Sequence, residues 1–151
     1  MTEKQETVEN GINIKVIYFD QHVIEILFGC SNGYFSGQAE IYLSHDGLSK
    51  FADNLNGFPS SPSDSREVKL GTFDPTHADG GILMSFSCRD SLGHAIVEIK
   101  LRGDGSKGFG ELESVALRIP IEPAAIDLFT EQLRQMDPTN GVIALLPMAR
   151  W

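Results

Sequence analysis

Phe35-Ser36-Gly37-Gln38-Ala39-Glu40-Ile41-Tyr42-Leu43, followed at once by Ser44-His45-Asp46-Gly47-Leu48-Ser49-Lys50-Phe51-Ala52-Asp53-Asn54-Leu55, is the stretch that decides the fold class. In its first half Phe35, Gly37, Ala39, Ile41 and Leu43 alternate with Ser36, Gln38, Glu40 and Tyr42, the period of two of a strand with one buried face. After Ser44 the period changes. Leu48, Phe51, Ala52 and Leu55 stand at i, i+3, i+4 and i+7, one face of a helix. Ser44 or Asp46 can cap its start, and Gly57 with Pro59 ends it.

Toward the N-terminus the pattern is all strand. Residues 1–10 read as a frayed polar arm. Ile12, Ile14, Val16 and Tyr18 alternate with Asn13 and Lys15, which puts Tyr18 on the face of Ile12. Asp20-Gln21 turns the chain, Val23 to Phe28 makes a second strand, and Ser31-Asn32-Gly33 supplies the next turn.

Toward the C-terminus, residues 59–65 form a Ser/Pro-rich loop too short to divide the chain. Strand patterns follow at about 66–73, 82–89, 94–102 and 113–121. Ser91-Leu92-Gly93 makes the middle two a hairpin. A second helix opens at Glu122-Pro123, where proline and a carboxylate suit a first turn. It carries Ile126, Phe129, Leu133 and Met136, and Asp137 to Gly141 stops it. Short connectors favour antiparallel pairing. The expected architecture is α+β: a mainly antiparallel sheet of about seven strands with two helices packed on it, in a single domain over 1–151. Phe51, Leu55, Ile126, Phe129 and Leu133 are expected to pack on Ile41, Val97, Ile99 and Leu117. Residues 139–151 form an apolar C-terminal tail. Val142 to Leu146 would leave a bare patch in water unless they pack on the chain's own sheet or on a second subunit. The reading favours an ordered tail and a homodimer.

Composition narrows the function classes. The 151 residues hold 12 basic and 21 acidic side chains, a formal charge of −9. Such a field repels phosphate backbones and anionic membranes and attracts cations or basic partners, so neither nucleic acid nor membrane is expected as a partner. The polar opening residues lack the basic start and apolar run of a signal peptide, and no apolar stretch approaches the ~18 residues of a membrane span. Cys30 and Cys88, both inside apolar runs, read as two buried, reduced thiols. A cytoplasmic location is expected.

The motifs with chemical content mostly dissolve in context. Gly29-Cys30-Ser31-Asn32-Gly33 matches the G-x-S-x-G string of hydrolases, but a strand follows it where the nucleophile elbow needs a helix, so a hairpin turn is the better reading. Gly103-Asp104-Gly105-Ser106-Lys107-Gly108 matches G-x-G-x-x-G, again with a strand after it, and reads as a hairpin loop. The four histidines, His22, His45, His77 and His94, have no ligand spacing among themselves. Asp74, His77 and Asp79 could cluster, and Asp90 lies near His94; turn or surface roles explain them better. Glu25 and Glu40 on adjacent strands could mimic a glycosidase pair, yet a solvated strand face suffices. Arg89, Lys100, Arg102 and Arg118 are expected in cross-strand ion pairs with Asp90, Glu98 or Glu113. No residue is therefore assigned a catalytic, cofactor-binding or metal-ligating role, no cofactor is expected, and stability should not depend on a metal.

Two stretches carry a family resemblance. They are Gly33-Tyr34-Phe35-Ser36-Gly37-Gln38-Ala39-Glu40-Ile41-Tyr42, with the helix ending Leu55-Asn56-Gly57-Phe58-Pro59, and Leu117-Arg118-Ile119-Pro120-Ile121-Glu122-Pro123 leading into Ala125-Ile126-Asp127-Leu128-Phe129. With Gly71-Thr72-Phe73-Asp74 between them, residues 33–136 resemble a family of small uncharacterised bacterial proteins similar to WapI-type immunity proteins. The resemblance implies a non-enzymatic protein-binding domain that neutralises a toxin, with a basic toxin domain as partner, and it transfers no site residue. The alternatives are a small hydrolase or metal-dependent enzyme using Ser31 or the His77 and Asp79 loop, and a structural or oligomerisation domain.

Overall fold

The computed structural model describes residues 9–73, 80–103 and 113–151. The change of period after Ser44 is where the first sheet hands over to a helix. Strands β1 (Gly11–Phe19), β2 (Ile24–Ser31) and β3 (Ser36–Leu43) precede helix α1 (Gly47–Leu55); β4 (Ser65–Gly71), β5 (Gly81–Cys88), β6 (Ala95–Arg102) and β7 (Ser114–Ile121) precede helix α2 (Pro123–Gln135). The apolar tail is itself a strand, β8 (Ala144–Pro147).

The class is α+β with antiparallel strands, as the periodicities imply. The strands divide into two sheets of four, ordered β3-β2-β1-β8 and β4-β5-β6-β7. The division has a local cause. Helix α1 and the loop after it stand between β3 and β4, so the second run of strands starts a sheet of its own. Strand β3 then runs across the end of that second sheet. Gly37 sits against Val115 and Leu101 so closely that a Cβ there would come 2.7 Å from a Val115 methyl, and Ile41 lies over Gly71 and Gly80.

Both helices bury their stripes in one core. Leu48, Phe51, Ala52 and Leu55 of α1 and Ile126, Phe129 and Leu133 of α2 join Ile41, Val97, Ile99 and Leu117 there. The Phe51 and Phe129 rings meet edge to face at 5.6 Å. Asp46 occupies the N-cap of α1, but its side chain makes no cap bond. It accepts instead from Ser44 Oγ at 2.7 Å and pairs with Lys50 at 3.1 Å. The other end is tied by Arg66, which clasps both Asp64 oxygens at 2.9 and 2.8 Å and donates to the Asn54 and Asn56 carbonyls. That fork holds the Asp64 carboxyl well below the usual carboxylate range.

The tail joins the two sheets. β8 pairs with β1, with Ala144 and Leu146 fully buried. The next residues cross over: Met148 N–H donates to Asn10 O at 3.0 Å and Ala149 N–H to Pro120 O at 2.8 Å. The Pro120 carbonyl thus points away from β6, and so does its nitrogen, which has no proton to offer an intruding strand. Trp151 ends against His94, ring centroids 4.4 Å apart, with Arg89 5.8 Å over its indole. The chain's own fold thus buries Ala144, Leu146 and Ala149 of the tail, while Ile143 and Leu145 stay exposed. No helix among the described residues is long and apolar enough to cross a membrane.

Candidate protein-interaction face

The first sheet buries Ile12, Ile14, Ile26, Phe28 and Ile41 on one side and leaves the other side in water. The expected alternation of β1 holds through Val16 and then breaks. The register shifts between Val16 and Tyr18: Val16 lies opposite Ile26, but Tyr18 lies opposite Glu25. One extra residue, Ile17, has been taken up as a β-bulge. Side chains beyond a bulge change faces, so Tyr18 leaves the Ile12 face and stands on the outer one, 48% exposed. This corrects the strict period-two reading. The signal was Ile17-Tyr18-Phe19, three large side chains in a row where alternation called for a polar one.

The bulge completes a cross-strand row. Glu25 faces Tyr18 on one side and Tyr42 of β3 on the other. The next outward row is Lys15, Leu27 and Glu40, and the one after it Asn13, Gly29 and Gln38, with Leu145 of β8 beside Asn13. Glu25 and Glu40 are diagonal neighbours on this face, the solvated strand face that the sequence suggested. Tyr18 is held in place: its hydroxyl donates to Asp20 Oδ2 at 3.0 Å. Asp20 clasps the turn, its Oδ1 accepting from His22 N–H at 2.7 Å and Val23 N–H at 2.9 Å, while its carbonyl meets His45 Nε2 at 2.8 Å. Those backbone donors, His22 first, lower the Asp20 pKa; the bond to Asp20 raises that of Tyr18. The face thus offers two phenol rings and an aliphatic centre, with Glu25 and Glu40 outnumbering Lys15. Aromatic anchors among carboxylates suit recognition of a basic protein surface.

A second exposed aromatic spot has the opposite sign around it. The β2–β3 turn is fixed by Asn32, whose Oδ1 accepts from the Tyr34 and Phe35 N–H groups at 3.0 and 2.9 Å and whose Nδ2 donates to Arg118 O at 3.1 Å. Tyr34 projects into water, and Phe35 borders a groove of about 530 Å³ lined by Lys100 and Arg118 against the single carboxylate of Glu98. Arg118 pairs with Glu98 across β6 and β7 at 2.6 Å, as expected.

The other residues weighed in the sequence fall into structural places. Ser31 closes the hairpin turn, with Oγ donating to Asn10 Oδ1 at 3.1 Å and accepting from Gly33 N–H at 3.2 Å. Asp90 organises the β5–β6 hairpin, accepting from Leu92 N–H at 2.8 Å and meeting His94 Nδ1 at 2.6 Å. Arg89 lies over the Trp151 ring, not against Asp90, and Arg102 is buried, donating to Thr72 O at 2.7 Å and Gly103 O at 3.0 Å. Cys30 and Cys88 are free thiols on different sheets. Asp74, His77 and Asp79 and the stretch Asp104 to Gly108 lie outside the described residues; among the described ones no three His, Cys, Asp or Glu side chains gather around a metal-sized space. No family model, no curated protein and no solved structure matches the chain.

Proposed function

We propose that this chain is a non-enzymatic binding domain whose partner is a basic protein, and that it docks through the outer face of its first sheet. The observation that carries the reading is the Tyr42-Glu25-Tyr18 row, assembled by a bulge that moves an aromatic side chain out of the core pattern and onto an acidic face. The formal charge of −9 supports it, because a field of that sign speeds encounter with a cationic surface and disfavours an anionic one. Neutralisation of a basic toxin domain is the narrower form of this reading.

Selection of a random-peptide display library on the immobilised protein tests the broad form. Enriched peptides should be rich in Arg and Lys, and they should lose binding when Glu25→Gln and Glu40→Gln are combined. Enrichment of peptides without cations, or retention on the double variant, refutes it. Sequencing the neighbourhood of the gene tests the narrow form: an adjacent toxin gene whose growth arrest is relieved on co-expression is expected, and no such gene, or one that is not relieved, removes it.

A further inference from the structure

Strand β7 lies at the end of the second sheet, and part of its outer edge is open. We infer that residues 114–118 form a strand-addition site, where an extended segment of a partner protein pairs with β7 and sets a carboxylate opposite Ala116. This second site does not rest on the proposed basic partner.

The direction of the edge groups follows from bonds already in place. Arg118 O accepts from Asn32 Nδ2, and Pro120 O accepts from Ala149 N–H, so both carbonyls point away from β6. Glu113 O, of the other parity, accepts from Gly103 N–H on the β6 side. Direction alternates along an antiparallel strand, with the N–H and C=O of one residue pointing the same way. The N–H and C=O of Ser114 and Ala116 and the N–H of Arg118 therefore point outward. No group among the described residues bonds them. The crossing tail and Pro120 close one end of the edge, but Ala116 is exposed. Such a row of unpaired donors and acceptors is a template for another strand.

There is room for one. The groove of about 530 Å³ runs beside Ala116, Leu117 and Arg118, with Asn32 and Phe35 also lining it. Because Asn32 reaches Arg118 O from outside the sheet, this groove lies along the edge. A second groove, of about 290 Å³, continues past Ser114 and Val115 toward Ser36 and Gly37. Phe35, 63% exposed, gives the first groove an apolar wall that favours apolar residues on either side of the central one.

Charge decides which segment fits. Lys100 lies opposite Ala116, and a partner residue on the far side of Ala116 extends that row. The Lys100 and partner backbones are then about 10 Å apart with only an alanine methyl between them, a gap that a lysine and a carboxylate side chain close together. Arg118 already pairs with Glu98 at 2.6 Å, whereas Lys100 has no carboxylate partner among the described residues. Glu113 borders the second groove, so the carboxylate belongs opposite Ala116 and not opposite Ser114. At physiological salt charges beyond about 8 Å are largely screened, so Lys100, more than the overall −9, meets the arriving segment.

The test is an amide-shift titration of the isotopically labelled full chain with three blocked pentapeptides: acetyl-Thr-Val-Glu-Val-Thr-amide, the same peptide with Lys for Glu, and the Glu peptide methylated on its central backbone nitrogen. The Glu peptide should shift the Ala116 and Arg118 amides and slow hydrogen exchange at Ala116, with the outer face of the first sheet unmoved. The methylated peptide should not bind. Lys100→Gln should weaken the Glu peptide about threefold, the worth of an exposed ion pair, and the Lys peptide should bind more weakly still. Ala116→Pro removes the outward N–H and leaves the β6 ladder intact, as Pro120 does at the same parity, so it should abolish binding with melting unchanged. If that variant folds poorly, the methylated peptide makes the same cut from the ligand side. No shift at millimolar peptide, shifts that map elsewhere, or equal binding of the methylated peptide overturns the site, and equal binding of the Lys peptide overturns the carboxylate. An Ala116 amide already protected in a species of twice the chain's mass would put a second copy on this edge and overturn the partner segment.

Discussion

Tyr18 is the residue on which the functional reading turns, and its position follows from one extra residue in β1. By strict alternation it would be a core side chain next to Ile24 and Ile26; with Ile17 bulged it becomes a surface ring beside a carboxylate. Cys30 is the opposite case, a thiol buried as its apolar surroundings imply, whereas Cys88 is only half buried. Cys30 is buried in β2, and burial pushes its thiol from an ordinary 9.0 up to about 11. The unfolded chain therefore gives up this proton first. Cys30 contributes its full stabilisation below about pH 9, and that contribution falls as pH rises from there toward 11. Denaturant melts across this range should show a loss of stability that Cys30→Ala flattens. Alkylation of the native protein should label half-buried Cys88 well before Cys30, and Cys30 only when the chain opens.

At the scale of elements, the two helices and the tail are the parts that hold the sheets together. Phe129 is fully buried and meets Phe51 edge to face, so Phe129→Ala should cost about 3–5 kcal/mol in chemical denaturation. A cost below about 1 kcal/mol would mean that α2 does not face the core. Truncation after Asn140 removes β8 together with the Met148 and Ala149 bonds that cross to Asn10 and Pro120. The shortened chain should melt far below the full one or fail to fold, and an unchanged melt would contradict the strand pairing. Much of this was legible in the residues. The helical spacing of Leu48 to Leu55, the alternation of Ala95 to Leu101 and the proline opening α2 each report a local preference, and local preference decided those elements. The partition into two sheets was not legible, because it depends on β3 lying across β4 to β7, a contact between residues nearly eighty positions apart such as Gly37 and Val115. The tail could be seen to need burial, but only the fold shows that β1 supplies it. The candidate face was half legible: Glu25, Glu40 and Tyr42 were on the expected side, and Tyr18 was not, since a period-two pattern has no place for a bulge.

For the whole molecule, the distribution of charge and aromatic surface matters more than any single motif. The outer face of the first sheet joins tyrosines to carboxylates, while the groove beside Phe35 is bordered by Lys100, Arg118 and the Glu98 that pairs with Arg118. A basic partner should choose the first and avoid the second, and added salt should weaken its binding. The most direct test is hydroxyl-radical footprinting of the full-length chain, alone and bound to the tightest Arg/Lys-rich peptide recovered by display selection. Tyr34, 90% exposed at the other aromatic spot, serves as the internal reference. Tyr18 and Tyr42 should become protected on binding while Tyr34 and Phe35 stay as reactive as before. Protection of Tyr34 and Phe35 with Tyr18 and Tyr42 unchanged would contradict it.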